Sequence, residues 1–143
     1  MNRRHRTQRG HAMLEFALAT PVLMLLCFGA IDTTRMFRTA MVSASAARAG
    51  ILYATSSSSA ADDSTGIVNA AKQDAENRED RVVTVERYCT CSTGGDAVAC
   101  TASCGSQSEY VKVTSRVPFR PTVALPGVPS ELDMTSISHM RIR

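Results

Sequence analysis

The feature that most constrains this chain is an apolar run behind a basic head. From Phe16 to Ile31 no residue is charged, and Asp32 and Arg35 close the run. Arg3, Arg4, Arg6 and Arg9 precede it. At about 1.5 Å rise per residue the run makes roughly 24 Å of helix, a little short of the ~30 Å hydrocarbon core of a bilayer. Adding Ala12 to Glu15 brings it close to spanning length. A segment of this kind is buried in lipid or removed as a signal. Arg-rich flanks stay in the cytoplasm, so the basic head puts the N-terminus inside and the residues beyond about position 32 outside. Glu15 is the anomaly, a carboxylate at the rim of the apolar run.

Three readings compete for this stretch. A cleaved secretory signal has the basic start and the apolar middle, but it does not carry a carboxylate at the front of the run. Its exit is also poor, because Phe28 stands two places before Ala30. A lipoprotein signal wants a small residue before the cysteine, and Leu26 precedes Cys27. A plain single-pass anchor accounts for the run and not for Glu15. The third reading takes Gly10, Glu15 and the run together. Gly10, four residues, Glu15-Phe16 and an apolar segment resemble the processing site of type IV pilin-like proteins. Residues 9 to 23, with Pro21 in the run, then Phe28-Gly29-Ala30-Ile31-Asp32-Thr33-Thr34-Arg35 and Ala46-Ala47-Arg48-Ala49-Gly50, more narrowly resemble TadE-like minor pilins (pseudopilins) of the tight-adherence (Flp) pilus system.

The resemblance implies that a prepilin peptidase cuts after Gly10. His11 becomes the first mature residue and Glu15 the fifth. It also implies that Glu15, with Phe16 beside it, acts in assembly, the carboxylate pairing with the terminal amine of a neighbouring subunit. The implied partners are the inner membrane, the peptidase, other pilin subunits and the pilus assembly machinery. The alternative is an uncleaved, membrane-anchored periplasmic accessory or binding domain of a secretion complex.

Composition narrows the rest. The chain has 143 residues, enough for one small domain beside a membrane segment. Its net charge of +3 is concentrated in the head, with no later basic stripe and no Trp, so nucleic acid is not an expected partner. No Gly-x-Ser-x-Gly elbow or metal-ligand cluster supports an enzyme. His139 is the only histidine of the outside part. No catalytic residue, cofactor or small-molecule substrate is expected.

The expected organisation is a leader over 1–10, a transmembrane segment over 11–31, a helix continuing outside the membrane over 32–55, and a periplasmic α+β domain over 56–143. In the continuing helix, Met36, Ala40, Ser43, Ala44, Ala47, Ile51 and Ala54 share a narrow face of small residues. That face suits packing on the chain's own sheet and close approach to other helices. The Ser-rich stretch from Thr55 through Gly66 reads as a loop. A short helix over Ile67 to Glu79 would bury Val68, Ala71 and Ala75, with Ser64 or Thr65 as its cap.

Strands are expected over Arg81 to Tyr88, Glu109 to Pro118 and Leu132 to Ile142, forming a small antiparallel sheet. Between the last two, Pro118, Pro121, Pro126 and Pro129 mark a crossing loop.

Cys27 lies in the apolar run and reads as a small buried hydrophobe. The other four cysteines, Cys89, Cys91, Cys100 and Cys104, fall within sixteen residues of the outside part. In an oxidising compartment they read as two disulfides. Cys89 and Cys91 are too close to pair comfortably with each other. That leaves Cys89–Cys104 with Cys91–Cys100, or Cys89–Cys100 with Cys91–Cys104. The nested pairing is preferred because it closes a hairpin symmetrically. A zinc site is the alternative, but zinc ribbons usually carry two Cys-x2-Cys pairs.

Overall fold

The computed structural model describes residues 5–73, 80–91, 95–101, 105–123 and 127–142, with side chains from residue 12 onward. One helix, α1 (His5–Ala54), runs through the apolar segment and on into the small domain without a break. Its 50 residues make about 75 Å. Pro21 sits inside it, and the turn before Pro21 carries a bond from the Thr20 hydroxyl to Phe16 O at 2.7 Å. Two short helices follow, α2 (Ser58–Asp62) and α3 (Ser64–Gln73). Then come three strands, β1 (Val82–Thr90), β2 (Ser108–Phe119) and β3 (Leu132–Arg141), in an antiparallel sheet of order β1-β2-β3.

The two halves of α1 meet different surroundings. Between Ala12 and Ile31 the large apolar side chains are exposed, from Met13 and Phe16 through Leu25, Phe28 and Ile31. Beyond residue 38 one face is buried, at Thr39, Ser43, Ala46, Ala47, Gly50, Ile51 and Ala54. Ser43, Ala47, Ile51 and Ala54 of the expected stripe are buried, whereas Met36, Ala40 and Ala44 are only half-buried, and the face packs on the chain's own sheet and on α3. The period-two pattern of β2 puts Val111, Val113, Ser115 and Val117 on the face toward α1, all fully buried. Ile51, Ala54, Ile67, Val111 and Val113 form the core, with Val83, Val85 and Ile142 closing its edges. The Ser43 hydroxyl lies 2.9 Å from Ser115 O and 3.1 Å from Met134 O, tying the helix to both β2 and β3.

Two expectations for the connecting region are corrected. The Ser-rich stretch holds the single-turn helix α2, capped by Ser57, whose hydroxyl accepts the Ala60 N–H at 3.1 Å. Burial of Ala60 and Ala61 draws the turn onto the domain. The cap of α3 is Asp63, not Ser64 or Thr65: its Oδ1 accepts the Gly66 N–H at 2.9 Å, satisfying one of the orphan donors of the first turn. The buried side of α3 is Ile67 with Ala71, while Val68 is half-buried. Ala75 and the rest of the expected span lie outside the described residues.

The disulfide pairing is the third correction. Cys89 bonds to Cys100, with Cα atoms 5.0 Å apart, so the preferred nested arrangement does not form and neither does a four-cysteine zinc site. The backbone explains the choice. Cys89 exchanges both hydrogen bonds with Val98, at 3.0 and 2.7 Å, which folds the segment after β1 back on Cys89 and brings Cys100 beside it. Cys91 is also disulfide-bonded, and Cys104 lies outside the described residues. Closing a loop of eleven residues stabilises by about 3 kcal/mol on the chain-entropy account. Replacing both partners (Cys89→Ser with Cys100→Ser) is expected to lower the unfolding free energy of the detergent-solubilised protein by about that much. Unchanged melting after mild reduction would argue against it.

Candidate functional site

The residues singled out for processing and assembly share one helix. Gly10 and His11 belong to the backbone of α1, and their side-chain environment lies outside what is described. Glu15 and Phe16 follow within the same helix and are exposed, Phe16 at 69%. Among the described residues Glu15 has no hydrogen bond or ion pair from its own chain. From Ala12 through Met24 the large apolar side chains of the helix are exposed, as they must be if lipid or other helices are to surround them. It is the one helix among the described residues long and apolar enough to cross a membrane, with a mean hydropathy of 2.0 over its best window. Cys27 is exposed on this helix as a free thiol, so the burial expected of it is not provided by its own chain.

Residues 10–51 match the family model for TadE-like protein. The TadE-like segment begins at the Gly of the expected processing site and ends on Ile51 in the domain core. It therefore covers both the exposed helix and most of the stripe that docks the sheet. The sheet and its disulfide lie beyond it. No curated protein and no solved structure matches the chain.

Where the TadE-like segment leaves its apolar run, the structure adds a feature the sequence did not announce. Asp32 is the acceptor for four donors. The Thr122 N–H reaches Oδ2 at 3.0 Å, the Thr122 hydroxyl reaches Oδ1 at 2.8 Å, the Val123 N–H reaches Oδ2 at 3.4 Å, and Arg35 reaches Oδ1 at 2.9 Å. Arg35 also donates to the Thr122 hydroxyl and lies 5.7 Å from the centre of the Phe119 ring. The crossing loop between β2 and β3 is thus pinned to the helix one residue past the apolar run. Charge-assisted bonds of this kind are stronger than neutral ones, and several on one carboxylate fix both position and direction. Thr122 stands ninety residues from Asp32, and no local pattern signals such a contact.

The rest of the domain surface is tied by ion pairs across the strands. Lys112 meets Glu86 at 2.8 Å, and Arg116 meets Asp133. Hydrogen bonding to Arg116 holds the Asp133 carboxyl below its ordinary range. Arg87 joins Asp62 of α2 to Glu109 of β2. Tyr88 and Tyr110 stack at 5.3 Å on the sheet face away from α1. Among the described residues no group of three or more His, Cys, Asp or Glu is placed to hold a metal ion.

Proposed function

We propose that this chain is a minor pilin-like structural protein that acts in assembly of a tight-adherence pilus and catalyses no reaction. It enters the bacterial inner membrane as a single-pass protein with its N-terminus in the cytoplasm and its disulfide-bonded domain in the periplasm. A prepilin peptidase removes residues 1–10, leaving 11–31 as the membrane segment, 32–55 as its extension and 56–143 as the domain. The observation that carries this reading is the TadE-like match from Gly10 to Ile51, laid on a helix whose apolar half is exposed and whose other half docks the domain.

Glu15 supplies the logic of assembly. A carboxylate facing lipid costs roughly 2.5–3.5 kcal/mol at a helix centre and less near the rim. Cleavage after Gly10 creates an α-amine on His11, a cation at nearly the same depth. When a processed subunit joins others, that amine pairs with Glu15 of its neighbour. Mass spectrometry of the N-terminus from cells that carry the peptidase tests the reading. The expected mature chain begins at His11, in both the membrane and the sheared-surface fractions. A chain that still begins at Met1 overturns it in favour of an uncleaved membrane-anchored accessory domain.

A further inference from the structure

Two cavities lie side by side where α1 leaves its apolar run, with Phe119 as a wall of both. The lower one, about 240 Å³, is apolar and is lined by Leu25, Phe28, Met36, Phe119, Val123 and Val128 among others. The upper one, about 360 Å³, is lined by Arg35, Arg38, Arg120, Asp80, Thr39 and Phe119. Their heights along α1 differ in a consistent way. Leu25 and Phe28 belong to the apolar run. Arg35 lies four residues past Ile31, about 6 Å farther along the axis, and Arg38 about 10 Å farther. The polar layer on each side of a bilayer is roughly 5–8 Å deep, which the Arg35 backbone reaches and the long Arg38 side chain reaches by sloping back toward the helix N-terminus. The crossing loop cannot drift from this height, because Asp32 holds Thr122 and Val123 against the helix.

The geometry points to a binding site for an anionic phospholipid of the outer leaflet, its acyl chain in the lower cavity and its phosphate among Arg35, Arg38 and Arg120. The carboxylates near the upper cavity do not cancel this. Asp80 lines it, Arg38 and Asp80 are each already engaged, Arg35 is bonded to Asp32, and Arg120 donates to Glu131 at 2.8 Å. A guanidinium carries five N–H donors, so one carboxylate partner leaves others for phosphate oxygens. Arg120 is largely exposed and can turn toward the headgroup without unpacking anything. The lipid would fill the angle between helix and loop and fix the tilt of the domain over the membrane. This inference rests on the membrane reading above.

The test uses the full chain in detergent with equimolar phosphatidylglycerol and phosphatidylcholine, with retained lipid read by native mass spectrometry. Phosphatidylglycerol is expected to be retained about tenfold over phosphatidylcholine, a difference of about 1.4 kcal/mol. Arg38→Gln with Arg120→Gln should bring the ratio to near parity. Val128→Asp, which places a charge in the lower cavity, should lower phosphatidylglycerol retention with the arginines intact. Equal retention of both lipids by the wild type overturns the site, and so does displacement of the lipid by millimolar inorganic phosphate. An intermolecular crosslink from Val128→Cys to Cys27 of a second copy in vesicles would show a neighbouring helix in the lower cavity instead, which also overturns it. Flotation with phosphatidylcholine vesicles separates the two levels. A chain that does not float fails the membrane reading itself, whereas one that floats without lipid preference fails only the site.

Discussion

Glu15→Ala is expected to be inserted, cut after Gly10 and folded like the wild type, yet to fall at least about tenfold in the sheared-surface fraction. The magnitude follows from what the substitution leaves behind. Removing one partner of a desolvated ion pair costs about 3–5 kcal/mol, because the remaining charge is stranded. Here the stranded group would be the His11 amine of the joining subunit. A loss of only 1.4 kcal/mol per joining event is already a factor of ten in occupancy. The domain is indifferent to the change: Glu15 is exposed and, among the described residues, has no partner within its own chain and stands twenty-four positions before Thr39, the first of them in α1 to be buried. Folding and assembly are therefore separable at this position. Glu15→Gln sharpens the experiment, since it keeps the shape and removes the charge. Recovery of Glu15→Ala from sheared pili at the wild-type level would leave the carboxylate without an assembly role.

What could be read from the sequence, and what could not, follows the range of the interactions. The strands were legible because each signals itself locally. Val111, Val113 and Val117 alternate with Tyr110, Lys112 and Arg116, and the buried and exposed sides of β2 divide along that alternation. The docking stripe of α1 was legible for the same reason, through helical spacing of small residues from Ser43 to Ala54. Thr39, Ala46 and Gly50 were missed because a stripe drawn from one row of a helix is narrower than the face a sheet covers. The α2 turn was hidden because serines favour loops and caps about equally, and what settles the matter is burial of Ala60 and Ala61 against distant residues. The disulfide partner depended on a two-residue bridge between Cys89 and Val98 that no alternation marks. The clamp at Asp32 was the least legible feature of all. In the sequence Asp32 is only the charge that ends an apolar run, and its role becomes visible once the fold returns Thr122 to it. The roles proposed for Gly10, His11, Glu15 and Phe16 stand apart from these, since they concern contacts with other proteins.

Gly50→Leu is expected to undo the docking of α1 on the domain. Gly50 is buried where three elements meet. A Cβ built there would lie 3.1 Å from Val113 Cγ1 on β2, 3.4 Å from Ala71 Cβ and 3.4 Å from Ile67 Cγ2 on α3. The first distance is tighter than ordinary contact and the others leave no spare room, so a Leu side chain has nowhere to go. Its three further carbons must push β2 or α3 off the helix, and those neighbours are themselves fully buried core residues. Overpacking a well-packed core typically costs 1–3 kcal/mol and occasionally more, and a side chain inserted where a single Cβ already presses belongs at about 3 kcal/mol. For a domain of this size each kcal/mol moves the melting temperature by about 4–8 °C, so a fall of roughly 12–24 °C is expected for the detergent-solubilised chain. Gly50→Ala is the control. It adds only the Cβ, which a small shift of the Val113 methyl accommodates, and it gains up to about 1 kcal/mol of helix propensity, so its melting temperature should stay within a few degrees of the wild type. The contrast matters for function because α1 is both the membrane segment and the post on which the domain sits. A loosened junction would let the domain swing relative to the helix while leaving Gly10 and Glu15 intact. Gly50→Leu should therefore be processed normally and still assemble poorly. If it melted within about 3 °C of the wild type, a shift worth less than about 1 kcal/mol, the junction would be looser than its distances imply.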